Sequence, residues 1–177
     1  MNKEFLELSI TELVSITAGI IGGLLLAMVK DKLFIIPGII ILIPGFLEMR
    51  GSIFGTLAAR ISTGLNLGTI DKKKKLSRPL MENILASLLL SLIASLILGL
   101  LSYIAIKIFF DINFPLIILI SVLAAMISTI ILLPSTIIAA FWLYNHNYDP
   151  SNIIGPYVTT TGDIVSIISL LLAVLIV

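Results

Sequence analysis

Five apolar runs, each long enough to cross a bilayer, limit what this chain can fold into more than any other feature. A transmembrane helix takes roughly 20 predominantly apolar residues. The runs fall at about residues 13–29, 33–64, 80–106, 114–144 and 152–177. Only short polar breaks separate them, so residues 1–177 read as a single transmembrane domain with little left over for a soluble one. Composition agrees: 59% of residues are hydrophobic and 12% are charged, whereas a soluble domain carries about a quarter charged residues. The expected class is an all-α integral membrane protein with five transmembrane helices.

Several chemistries are excluded early. The chain has no cysteine, which removes disulfides, thiolate zinc sites and thiol nucleophiles. His146 is the single histidine; with Asp149 it forms at most part of a metal site, and a solvated turn residue is the plainer reading. Neither a HExxH motif nor a glycine-rich phosphate loop nor a nucleophile elbow is present, so the chain reads as not an enzyme. The net charge of +1 carries no nucleic-acid signal. Glu4, Glu7 and Glu12, with no small-residue cleavage site, argue against a cleaved signal peptide. Residues 1–12 read as an interfacial helix or a helical lead-in.

Orientation follows from the one charge block, Asp71-Lys72-Lys73-Lys74-Lys75 through Arg78-Pro79. Cytoplasmic loops carry the excess of lysine and arginine, and such a loop also meets anionic lipid headgroups. The second-to-third connection is therefore expected inside, with the N-terminus cytoplasmic and the C-terminus outside. Within the first span, Gly19 and Gly23 have the small-xxx-small spacing that lets another helix approach closely. Lys30-Asp31-Lys32 is expected to end that span, and Pro134 is the natural kink of the fourth.

Two stretches break the apolar pattern. In the first, Pro37-Gly38 and Pro44-Gly45 precede Glu48-Met49-Arg50-Gly51-Ser52. Either the span ends at Glu48 and an amphipathic helix follows, or one long helix is broken and unwound around residues 44–52. Irregular backbone at membrane depth is tolerated where it lines a wet cavity, so Glu48 and Arg50 in such a segment point to a pathway. In the second, Asp149-Pro150 opens the last run, and Gly155-Pro156, Thr159-Thr160-Thr161 and Asp163 follow. Asp163 lies roughly ten residues inside this span, where a carboxylate costs about 3 kcal/mol unless it faces water, protein or a cation. Gly155-Pro156 is expected to interrupt the helix and free a carbonyl one turn before Thr159. Thr159 shares a helical face with Asp163 at i,i+4, Thr160 does so partly, and Thr161 is expected to bond back to a carbonyl. Oxygen ligands of this kind suit a hard cation.

These stretches resemble a known family. Pro44-Gly45, Glu48-Met49-Arg50-Gly51-Ser52, Thr56-Leu57-Ala58-Ala59-Arg60-Ile61-Ser62-Thr63 and Asn66-Leu67-Gly68 are similar to the second-helix signature of MgtE-type magnesium transporters. The pattern is most like that of their solute-carrier branch. Asp149-Pro150, Gly155-Pro156, Thr159-Thr160 and Asp163 are similar to the last-helix signature. Where the family pattern has Gly-Asn, this chain has Gly51-Ser52.

The resemblance implies transport of a divalent metal cation, Mg²⁺ before others, through a pore between protomers lined by the second and fifth helices. It implies Asp163, Thr159 and Gly155 as metal-facing residues, and Glu48, Ser52, Thr160, Pro156 and Asn66 as pore-lining. The second helix is then expected to be long and broken. The chain is expected to be a multi-pass protein of the cell membrane, in contact with membrane lipid. Its partner would be a second copy of itself or a related half. A non-transporting accessory subunit that pairs with such a half is the alternative. Mg²⁺ enters only as the transported ion. The cytoplasmic N and CBS domains of bacterial MgtE have no counterpart in these residues, which implies different regulation.

Overall fold

In the computed structural model, which describes residues 3–70, 77–146, 148 and 150–177, helices account for nearly the whole path of the chain. They are α1 (Lys3–Leu33), α2 (Ile39–Asn66), α3 (Arg78–Phe110), α4 (Leu116–Asn145) and α5 (Pro150–Ile176). All five are long and apolar enough to cross a membrane. The described residues thus form the five-helix, all-α membrane protein expected from the apolar runs.

Four expectations about where helices end or break need correction. α1 runs unbroken from Lys3 through Lys30-Asp31-Lys32 to Leu33, so the first residues are one piece with the span. Lysines in a last helical turn are favoured by the negative end of the helix dipole, which is why they do not stop the helix. The stop comes at Pro37-Gly38, where Gly38 takes a left-handed φ of 83°. A Cβ there would sit 2.8 Å from Ile106 Cγ2, so both the φ and the space require glycine. Likewise α3 extends through Lys107 to Phe110. Its end is capped by Asp111 at φ 53°, with the Ile112 N–H donating to Ile106 O at 3.2 Å, a bond that satisfies a carbonyl of the last turn.

The third correction concerns α2, which is long but not broken. It is helical without interruption from Ile39 to Asn66, with Pro44 inside it. Pro44 lies within the first two turns, where its missing N–H costs a single helical bond; the residues from Glu48 to Ser52 keep their ladder. α5 is equally continuous across Gly155-Pro156, so no interruption occurs there either.

α5 is the hub. It packs against α1, α2 and α4, while α3 packs against α2 and α4. α1 touches little besides α5. One polar tie is Ser15, whose Oγ lies 2.7 Å from Thr160 Oγ1. The glycines of α1 divide differently from expectation. Nothing approaches a Cβ built on Gly19 or Gly23, whereas one on Gly22 would meet Asp163 Cβ at 3.9 Å and Ile164 Cγ1 at 3.8 Å.

The α3–α4 contact is built from small hydroxyl residues. The buried face of α3 is Leu80, Ser87, Ser91, Ser95, Gly99, Ser102 and Ile106. Its serines recur close to every fourth residue and so share one face. In a bilayer, where lipid tails are as apolar as leucine, close backbone approach and interhelical hydrogen bonds hold helices together. Ser121 Oγ donates to Ser95 O at 2.8 Å, and a Cβ on Gly99 would lie 2.8 Å from Ile118 Cα. Two apolar clusters fill the rest. One joins Leu42, Phe46 and Met49 to Ile117, Ile120 and Leu170; the other joins Phe54, Leu57 and Ile61 to Leu132, Ile154 and Val158.

Candidate cation site

α2 carries its apolar side chains on one face and leaves the other open. Phe46, Met49, Arg50, Phe54, Leu57, Ala58 and Ile61 are buried. Pro44, Glu48, Ser52, Thr56, Ala59, Arg60, Thr63 and Asn66 are exposed. Those exposed positions recur every three or four residues, one stripe along the helix. On α5, Gly155 and Thr159 are exposed and Asp163 is half-buried at the same i,i+4 spacing.

The two stripes meet. A Cβ on Gly51 would come within 3.2 Å of Thr159 Cγ2, so α2 crosses α5 where Gly51 leaves room for the threonine. Glu48 lies one turn from that crossing on α2 and Asp163 one turn from it on α5, which brings both acids to the seam. Asp163 is flanked on its other side by Gly22 of α1. Among the described residues the one ion pair is exposed, Arg78 to Glu82 at 2.9 Å; neither Glu48 nor Asp163 has a cationic partner. The described residues also hold no group of three or more metal-ligating acids or histidines. The chain thus brings two carboxylates and neutral oxygens to this seam.

The threonines sort by partner. Thr161 Oγ1 bonds back to Tyr157 O, as expected, but the other two also return to the backbone. Thr159 Oγ1 donates to Gly155 O at 2.8 Å, with Pro156 O at 3.1 Å. A hydroxyl that gives its proton to a carbonyl keeps two lone pairs for water or a cation. Thr160 is turned to α1, bonded to Pro156 O at 2.9 Å and paired with Ser15. Pro156 is half-buried beside the same helix and lines a cavity between α1 and α5. Pro156 has no N–H, so the carbonyl left without a helical donor is that of Asn152, four residues earlier, rather than Gly155. Asn66 is at the far end of α2; 18 residues from Glu48 is about 27 Å along a helix, too far to share one ion.

Arg50 is not beside Glu48, as the expectation of a shared pathway segment implied. Positions two apart on a helix point roughly 200° away from each other, and Arg50 enters the bundle interior, 0% exposed. Its Nη1 donates to Ser91 Oγ at 2.8 Å and to Thr129 Oγ1 at 2.7 Å. The two hydroxyls are themselves 2.8 Å apart. Phe46 and Phe54, one turn before and after, cover the guanidinium with ring centroids at 5.0 and 5.8 Å. Nε and Nη2 are buried without acceptors, each costing about 1–3 kcal/mol. The α2 spacing sets Arg50 and Glu48 on different faces; that Arg50's face is the buried one, and that its partners are a serine on α3 and a threonine on α4, was not legible without the packing.

His146 caps α4. Its ring lies 4.3 Å from Trp142 by centroid, and Nδ1 is 2.8 Å from Trp142 O. Asp149 falls outside the described residues.

A bundle of membrane-spanning helices that brings acidic and hydroxyl oxygens to one open seam is the framework of a cation transport protein. The family model of MgtE, described as a divalent cation transporter, matches residues 43–173. The match covers most of the chain and takes in both stripes, and the chain belongs to the MgtE family. That family comprises transporters of divalent cations, not enzymes. The protein is a multi-pass membrane protein. No curated protein and no solved structure matches the chain.

Proposed function

We propose that the protein carries Mg²⁺ across the cell membrane along the seam of α2 and α5, closed over by a second copy of the chain. The observation that carries this reading is the meeting of the Thr159–Asp163 face with the Glu48–Ser52 face at Gly51. An exposed stripe of carboxylate, hydroxyl and amide groups on a spanning helix is costly against lipid. A second protomer and trapped water would relieve that cost.

Mg²⁺ demands octahedral oxygen and dehydrates reluctantly, keeping several of its waters. A path for it needs few carboxylates and several neutral acceptors. One Asp163 and one Glu48 from each of two protomers would supply a ring of negative charge that favours divalent over monovalent ions. Thr159, Ser52 and the Gly155 backbone would receive the ion's water shell. Thr160 and Pro156, engaged with α1, are left out of this lining, and Asn66 would lie at its mouth.

The direct test is Mg²⁺ uptake by proteoliposomes containing Asp163→Asn. Uptake is expected to fall to the level of empty vesicles while the melting temperature stays within a few degrees of wild type. A variant that still takes up Mg²⁺ at the wild-type rate removes Asp163 from the path. Running the same assay with Mn²⁺, Co²⁺ and Ca²⁺ decides the ion.

A further inference from the structure

Arg50 is poorly explained as a device for stability. It is completely buried, no carboxylate among the described residues pairs with it, and two of its three guanidinium nitrogens lack acceptors. Replacing buried charges by apolar side chains of similar volume is often neutral or stabilising. A methionine would fill the space between Phe46 and Phe54 without stranding two donors. Arginine remains charged at any physiological pH. What it brings that methionine does not is a permanent positive charge.

The position of that charge is informative. Arg50 sits between Glu48 and Gly51, the residue in contact with Thr159. It is therefore at the depth of the carboxylates but on the opposite side of α2. A helix with its side chains is about 10–12 Å across, so the guanidinium stands about one helix diameter behind the seam. Two hydroxyls from α3 and α4 and two aromatic rings hold it there. Charges within the bundle interact at low effective dielectric and are screened by salt much less than exposed ones. A cation at Asp163 and Glu48 consequently feels Arg50 as a repulsion.

We infer that Arg50 is a charge-balancing residue, a fixed cation behind the wall of the path that weakens the hold of the paired carboxylates on the passing divalent ion so that it can leave. Conduction requires a site favourable enough to enter and weak enough to release. Two acids per protomer without a countercharge would make a trap. The inference rests on the transport reading above and adds to it the residue that sets the affinity of the seam.

The test uses the full chain with Arg50→Met, Arg50→Gln and Arg50→Lys, and Mg²⁺ alone as probe. Mg²⁺ binding to the purified protein is measured by calorimetry, and uptake by proteoliposomes as a function of Mg²⁺ concentration. Both neutral variants are expected to bind Mg²⁺ at least about tenfold more tightly, with a lower half-saturating concentration and a lower maximal rate. Arg50→Lys retains a positive charge and is expected to bind Mg²⁺ less tightly than either neutral variant. The double variant Ser91→Ala/Thr129→Val keeps the charge and loses its anchors; it is expected to lower the melting temperature without tightening Mg²⁺ binding. Unchanged or weaker Mg²⁺ binding in the two neutral variants overturns the inference, because a purely structural arginine would lower activity without tightening the site. Should wild-type vesicles take up no divalent ion, the transport reading fails, while the binding comparison still judges Arg50.

Discussion

Single residues in this protein are constrained by contact distance more than by residue type. Gly99 is the sharpest case. A methyl group there would enter the backbone of α4, 2.8 Å from Ile118 Cα and 3.0 Å from Ser121 Cβ. Gly99→Ala is expected to force α3 and α4 apart and cost about 1–3 kcal/mol, read as a lower midpoint in reversible detergent unfolding. Gly22 predicts the opposite outcome. Its nearest neighbours, Ile164 Cγ1 and Asp163 Cβ, stand at ordinary van der Waals separation, so Gly22→Ala is expected to leave folding unchanged. Gly22→Leu should crowd Asp163 and reduce uptake, and normal uptake by that variant would show that α1 does not bound the seam. Asp163 itself was legible as a carboxylate in a span. That its neighbours would be Gly22 and Glu48 was not, because neither is near it in sequence.

At the scale of elements, continuity was misjudged where proline, glycine and charge were read as breaks. Pro44 and Pro156 lie inside unbroken helices, while α4 runs through Pro134 as its apolar run implied. Tertiary packing holds these helices on both sides of the missing bond. The true break between α1 and α2 is the left-handed Gly38. Gly38→Ala combines a strained φ with a clash against Ile106 and is expected to cost about 1 kcal/mol or more, measured by the same unfolding midpoint. α1 is the element most loosely held, since it packs almost wholly on α5, and one polar tie there is Ser15 to Thr160. Ser15→Ala is expected to cost about 0.5–1.5 kcal/mol. Amide exchange in α1 should then rise before that in α3 or α4; faster exchange in α4 instead would contradict this hierarchy.

For the whole molecule, orientation and assembly each carry a direct prediction. The absence of cysteine makes single-cysteine labelling clean. With the N-terminus inside, a cysteine at Lys73 is expected to react only from the cytoplasmic side and one at Asp111 only from the outside; the reverse pattern inverts the topology. The polar stripe of α2 calls for a covering partner, and native mass measurement of the purified chain is expected to give twice the protomer mass. A strictly monomeric species that still carries Mg²⁺ would rule out a path between copies.

By itself, the sequence determined the class, the number of spans and the acid at the centre of the seam. These depend on the length and polarity of contiguous segments, and the bilayer imposes its thickness and its penalty on charge one segment at a time. Only the tertiary structure decided that α5 is the hub, that the serines of α3 face α4, that Thr160 belongs to α1, and that Arg50 points inward while Glu48 points out. Such facts depend on which helix faces approach one another, and that is settled by contacts such as Gly99 against the α4 backbone and Gly51 against Thr159, between residues far apart along the chain.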